Sequence, residues 1–251
     1  MRDESWFDDA TAAAYDEETA DQADPASFEA QLDRLAELAG DGPVLELAIG
    51  SGRVAIPLAA RGVQVSGIEQ SPAMVARMRA RPGGGEADIP VVIGDMTTAV
   101  APGAGRFTLV YLVFNTIMNL TTQAQQAACF RNAAAHLAPG GAFLVETMVP
   151  ALRLLPPGER YVVFDLGDDH LGIDEYDTVT QGLVSHHVAT RHDGRVERSS
   201  SPFRYVWPAE LDLMAELAGL APGDRWGGWR REPFTADSRS HVSTWRRGAP
   251  L

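Results

Sequence analysis

Between residues 44 and 149 short apolar runs alternate with stretches of helical periodicity, and that alternation limits the fold more than any other feature of the chain. Phe28, Leu32, Leu35 and Leu38 recur on one helical face. The apolar residues 44–47 then run as a strand into the glycines of AIGSGR, and Val54, Ile56 and Leu58 open a second helix. Residues 63–69 repeat the strand, SPAMVARMRA the helix and PVVIGD the strand. FTLVYLVFN, TTQAQQAACFRNAAAHL and GGAFLVETMV complete the series as strand, helix, strand. Such a chain forms an α/β domain, its mostly parallel sheet doubly wound with helices on both faces. The alternation stops near Pro150. YVVF, DTVTQGLVSHHVATR and RVERSSSPFRYV are β-rich, and the His-Asp-Gly at 192–194 signals a hairpin. WPAELDLMAELAGL returns to helix and HVSTWRR reads as a last strand. The expected organisation is an N-terminal arm or lid over 1–24, a ligand-binding core over 25–149, an antiparallel β cap inserted over 150–206, and the rest of the core sheet over 207–251.

Composition excludes several functions. At 251 residues and 45% hydrophobic content the chain can bury one substantial core. Its 21 basic and 34 acidic residues leave a net charge of −13, a field that repels nucleic acid and anionic membrane surfaces. Runs such as LVYLVF are far shorter than the roughly 20 residues of a membrane helix. MRDESWFDDA has no signal-peptide character, and Cys129, the single cysteine, can form no internal disulfide. A cytoplasmic protein with no nucleic-acid or membrane partner is expected.

The chemistry concentrates around VLELAIGSGR. Gly50 and Gly52 permit close backbone approach, and helix-start amides favour an anionic group. The GxGxxA spacing through Ala55 also suits the phosphate loop of a nicotinamide-binding fold, or a tight turn with no ligand at all. Glu69, 17 residues after Gly52, ends the second strand where a carboxylate can accept from both hydroxyls of a ribose. Asp95 and Met96 follow the third strand, placed for an adenine amino group and ring. Glu46, four residues before Gly50, would repel a pyrophosphate but suits a ligand bearing an ammonium.

E-x-x-x-G-x-G, GIEQSPAM, GDM, FTLVYLVFN and HLAPGGAFLVE together resemble the successive motifs of class I S-adenosylmethionine-dependent methyltransferases, over about residues 42–149. The chain is similar in particular to the small-molecule branch, including bacterial sugar N-methyltransferases with an antiparallel cap after the fifth strand. The resemblance implies a seven-stranded Rossmann-like sheet with its final strand antiparallel, and S-adenosylmethionine across the carboxyl ends of the first, second and fourth strands, leaving as S-adenosylhomocysteine. By position, Gly50, Ser51 and Gly52 would hold the methionine end, with Glu46 steadying that loop. Glu69 would bind the ribose, Gln70 and Met74 the ribose and adenine edge, and Asp95 with Met96 the adenine. Phe114 and Asn115 would border the sulfonium, and Tyr15 would close over the methionine carboxylate. Ala48 and Ile49 depart from the commonest pattern, which has Gly and a small residue there.

Methyl transfer from a sulfonium chiefly requires nucleophile and methyl to be held roughly 3 to 3.5 Å apart in a dry pocket. The fourth strand lacks the Asn-Pro-Pro of nucleobase and amide N-methyltransferases, and no acidic pair suits Mg²⁺. His170, Asp174 and Glu175 in DDHLGIDEYD could ligate a metal, but a solvated loop is the preferred reading, so no metal is expected. An N or O nucleophile of a small molecule is the expected acceptor, contacted from Tyr176 and His187 on the cap and from DRWGGWRREPF, where Trp229 is favoured over Trp226 and Phe234. Alternation sets His187 on a row with Gln181, Leu183 and Ser185, and His186 on a row with Val184 and Val188. The polar row favours His187 as general base. The rivals are a nicotinamide-dependent oxidoreductase and a cofactor-binding protein that cyclises or only binds; a homodimer stays open.

Overall fold

The computed structural model of the chain describes residues 24–191 and 193–248. The candidate arm up to residue 23, with Tyr15, lies outside them. Helix α1 (Pro25–Ala39) starts where the Asp24 carboxylate accepts from Ser27 N at 3.0 Å, and stops at Gly40, whose φ of 57° a side chain would disfavour. Strand β1 (Val44–Leu47) follows, then α2 (Ala55–Ala60), β2 (Val65–Glu69), α3 (Pro72–Arg79), β3 (Val91–Ile93) and β4 (Phe107–Leu112). A 3₁₀ turn (Thr116–Asn119) leads to α4 (Gln123–His136), which Thr122 and Gln125 start with a reciprocal capping box. Strand β5 (Leu137–Met148) begins at the residue after the helix, and a second 3₁₀ turn (Ala151–Leu154) ends it. The cap is β6 (Tyr161–Leu166), β7 (His170–Asp177), β8 (Gly182–Thr190) and β9 (Val196–Arg204). The chain ends with α5 (Pro208–Leu217), β10 (Leu220–Trp226) and β11 (Ser240–Arg247).

The main sheet has seven strands in the order β3-β2-β1-β4-β5-β11-β10. The first five are mutually parallel, and β11 is antiparallel to both its neighbours. All four residues of β1 are buried, as a strand covered on both faces requires. One face packs Leu45, Leu47, Leu211 and the edge-on cluster of Phe130 with Phe143 and Trp245, at ring separations of 4.9 and 5.1 Å. The other packs Val44, Leu109, Tyr111 and Leu144 under Leu35 and Leu58. The strand order reverses between β1 and β4, so their carboxyl ends open a crevice where a ligand can enter.

The cap is a separate four-stranded antiparallel sheet in the order β6-β7-β8-β9. Two sequence expectations need correction here. DDHLGIDEYD is no solvated loop: its last eight residues are β7, an inner strand paired on both sides, and its acidic residues hid it. Gln181 does not share the strand row of His187: its φ of 59° places it in the turn before β8. There its side chain joins the anchor of the cap. Arg204, at the end of β9, donates to Glu210 at 2.7 Å, Gln126 at 2.5 Å and Gln181 at 3.0 Å, while Gln181 and Gln123 donate to Glu210. The turn before β8, the end of β9, α4 and α5 are thereby tied by one network centred on the buried Arg204.

Candidate active site

The loop after β1 has three positive φ angles in five residues: Ala48 at 53°, Gly50 at 59° and Gly52 at 76°. Glycine adopts that region freely, whereas Ala48 carries about 1 kcal/mol of strain or more. Ile49 keys the loop onto β2, since a Cβ at Gly67 would lie 2.5 Å from the Ile49 side chain. Glu69 adds the polar lock: Oε2 accepts from Gly50 N at 2.9 Å and Oε1 from Ser71 N at 2.8 Å. Burial still raises the Glu69 carboxyl, against those amide bonds. Gln70 N bonds the same carboxylate, which leaves at least one of its roughly four acceptor sites. Gln70 beside it is exposed, Ser51 is buried, and Met74 is buried with its Cε 3.4 Å from where a Gly50 Cβ would stand.

Glu46 lies behind the loop, 4% exposed, accepting from Tyr111 Oη at 2.9 Å. Burial pushes its carboxyl up to about 8, despite the Tyr111 bond and the Arg53 charge. Asp95, after β3, is exposed, with Oδ1 taking Thr97 N at 2.7 Å, and Met96 beside it is buried. Across the crevice, β4 stops at Leu112, short of the run FTLVYLVFN, because Phe114 and Asn115 turn left-handed at φ 60° and 59°. Two consecutive non-glycine residues in that region cost of order 1–3 kcal/mol each and persist only when held. The Glu146 carboxylate holds Phe114 N at 2.6 Å, and Asn115 Oδ1 takes Met148 N at 2.6 Å. The Arg53 guanidinium lies 4.6 Å above the Phe114 ring and acts on both Glu46 and Glu146. Sequence reasoning passed over Arg53, Tyr111 and Glu146, although Glu146 ends an apolar run as Glu69 does.

The base of the cap closes over this end of the sheet. The Tyr176 hydroxyl accepts from Ala151 N at 3.4 Å, just beyond β5, and β9 packs on the 3₁₀ turn that follows β4. Tyr176 is buried, and burial pushes its hydroxyl up to about 12. Directly opposite it stands Leu183, so Ser185 and His187 continue the same face of β8. His187 meets His170 Nε2 through Nδ1 at 3.0 Å and Ser185 Oγ through Nε2 at 3.3 Å. His186 projects from the other face toward Ser200 at 2.8 Å and Glu175 at 3.3 Å. Trp229, like Trp226 and Phe28, packs against the core cluster on the α1 side of the main sheet, whereas Tyr176 belongs to the cluster on the other face. Among the described residues no three His, Cys, Asp or Glu side chains converge as metal ligands do, and no helix is long and apolar enough to cross a membrane.

Residues 44–141 match the family model described as "Methyltransferase domain". The solved CcbJ methyltransferase of Streptomyces caelestis is 36% identical, with 99% of this chain and 100% of that one covered at a TM-score of 0.85. The cypemycin N-terminal methyltransferase of a Streptomyces species is 28% identical over 245 residues, 95% of this chain and 96% of the relative. CalS10 of Micromonospora echinaspora, an amino pentose methyltransferase solved with S-adenosylmethionine bound, has the same fold at 20% identity, with 98% of this chain and all of that one covered and a TM-score of 0.69.

Proposed function

The chain belongs to the S-adenosylmethionine-dependent methyltransferases, and from that premise we propose that it methylates an amine nitrogen of a small-molecule acceptor, with His187 receiving the proton. The nicotinamide alternative fails on family membership, and it also left Glu46 and Asp95 without a task. The residues at the crevice fit the cofactor. Two glycines with positive φ bring bare backbone to the mouth, and Glu69 retains acceptor capacity beyond its bonds to the amides of Gly50, Ser71 and Gln70. On this reading Gly50, Ser51 and Gly52 hold the methionine end, Glu46 steadies their loop, and Glu69 with Gln70 takes the ribose. Met74, Asp95 and Met96 enclose the adenine, and Phe114 and Asn115 border the sulfonium. Arg53, over Phe114 and among the buried carboxylates, joins them as an anchor for the methionine carboxylate. When bound, S-adenosylmethionine supplies a methyl group on a sulfonium leaving group.

One observation supports the amine reading most: the cap face continuous with Tyr176 and Leu183 carries a polar row ending in an imidazole. An ammonium acceptor has to lose a proton, and an imidazole at neutral pH can take it. The cypemycin enzyme, by its name, works at an N terminus, which points the same way. The buried Cys129, its thiol pushed up to about 12 by burial, is inert and consistent with a cytoplasmic setting.

The test offers amino sugars, short peptides with free N termini and hydroxyl-only counterparts to the protein with S-adenosylmethionine, and reads products by mass spectrometry. The expected gain of one methyl is confined to the amine acceptors and falls by about 10²-fold or more in His187→Ala. Methylation of the hydroxyl-only set alone, or turnover within about threefold in His187→Ala, contradicts the assignment.

A further inference from the structure

We propose that Asp165, His170, His187, Ser185 and Asp174 form one proton-holding chain that takes the acceptor's proton at His187 and carries it to the exposed edge of the cap. The proposal rests on the reading of His187 as the base. Asp165 Oδ2 meets His170 Nδ1 at 2.5 Å, His170 Nε2 meets His187 Nδ1 at 3.0 Å, and His187 Nε2 meets Ser185 Oγ at 3.3 Å. The Ser185 hydroxyl also hydrogen-bonds Asp174, its directly opposite neighbour on β7. Four hydrogen bonds thus link five side chains across three strands.

The register explains how they meet. Gly172 stands opposite His187, and it has no side chain to separate His170 from it. A bulge between Val163 and Asp165 adds Phe164 to β6, and a Cβ at Gly172 would lie 2.3 Å from the Phe164 ring. Phe164 accordingly lies across Gly172 with its ring edge-on to His187 at 5.5 Å, and Asp165 is turned toward His170. Bulges commonly re-aim side chains in this way. From β9, uncharged Ser199 faces His187, with Glu197 opposite Ala189 one step along the same face.

Counting protons gives the chain its property. Four hydrogen bonds need four protons, but two neutral imidazoles and one hydroxyl supply three. One link is therefore short of a proton while both rings are neutral. A single added proton completes every link: His170 donates to Asp165 and His187, His187 donates to Ser185, and Ser185 donates to Asp174. A second would set two N–H groups against each other across the 3.0 Å between the rings, so the pair accepts one proton and resists another.

That capacity matches the reaction. The ammonium acceptor first gives one N–H proton to His187 Nε2, and the lone pair this frees on nitrogen forms the new N–C bond while the C–S bonding pair leaves with sulfur. Transfer from His187 Nδ1 to His170 Nε2, and from His170 Nδ1 to Asp165, passes one proton along the chain. Asp165 is exposed, so the proton leaves to water there.

The test is ¹⁵N-histidine NMR of the full chain, with His170→Gln and His187→Gln used to assign the two rings. Between about pH 8 and pH 5, the two rings together are expected to take up a single proton in one shared step. Asp165→Asn is expected to shift that shared step for both rings. Two independent one-proton steps, or a His187 resonance indifferent to His170→Gln and Asp165→Asn, overturns the chain. This reading needs no acceptor. Its failure is thus distinct from that of the base assignment, which falls if His187→Ala leaves methyl transfer intact.

Discussion

Glu69 binds two backbone amides from different loops, which makes it a structural clasp before any ligand arrives. Replacing it with alanine removes both acceptors and, on the proposed reading, the carboxylate that takes the ribose hydroxyls. Glu69→Ala is expected to weaken S-adenosylmethionine binding by about 1–3 kcal/mol, measured by calorimetry on a variant that still unfolds cooperatively. A dissociation constant unchanged within about twofold removes Glu69 from the ribose site. Glu69 and Glu46 were legible in the sequence because each is a carboxylate in or ending a short apolar run, where chance seldom leaves a charge. Arg53, Tyr111 and Glu146 were not. Their partners arrive through strand register: Tyr111 lies opposite Glu46 on β4, and Glu146 reaches the amide of a residue 32 positions earlier. The left-handed pair Phe114 and Asn115 was equally hidden, since nothing in FNT announces positive φ at two ordinary residues.

At the scale of elements, the junction between cap and core depends on Arg204. Its side chain and that of Glu210 are 6% and 13% exposed, and burial alone would raise the Glu210 carboxyl; Arg204 and the two glutamines carry it below its ordinary value instead. Arg204→Met would remove the one charged partner of Glu210 in this network and the donor to the side-chain oxygens of Gln126 and Gln181. A loss of about 3–5 kcal/mol is expected in urea denaturation. A loss under about 1 kcal/mol would mean that the network does not anchor the cap. The parallel strands could be read from the sequence because each is a dense apolar run with a turn behind it. β7 and β10 could not. β7 carries acidic residues on a half-exposed sheet, and β10 contains Pro222 and Gly223 at a register shift, which an edge strand tolerates but a sequence pattern reads as loop. Helix α4 runs into β5 with no connecting residue, and APGG, which reads as a turn, is an irregularity within that strand: Leu137 pairs with Phe107 and Ala142 with Leu109, and the four residues between them lie in the register shift.

For the whole molecule, two buried groups pull stability in opposite directions with pH. His241 is fully buried, and burial, helped by the Arg225 charge, lowers it to about 4. The unfolded chain protonates this ring near pH 6.5, so its contribution is complete above that value and is lost as pH falls toward 4, by about 3 kcal/mol in all. Glu46 opposes it: the folded carboxyl holds its proton up to about 8, so stability declines as pH rises from about 4.5 toward 8. Between about pH 4.5 and 6.5 the two slopes partly cancel. The difference in unfolding free energy between the parent and His241→Leu isolates the first slope, and it is expected to rise by about 3 kcal/mol between pH 4 and pH 6.5. A flat difference would mean that the ring can ionise without unfolding the protein. All of this surrounds the crevice in which S-adenosylmethionine is expected to bind. Calorimetric titration of the full chain with S-adenosylmethionine, S-adenosylhomocysteine and NAD tests this most directly. Saturable binding of the first two at one site per chain is expected, with no heat from NAD; saturable NAD binding with no response to either sulfur compound would contradict the assignment of the crevice.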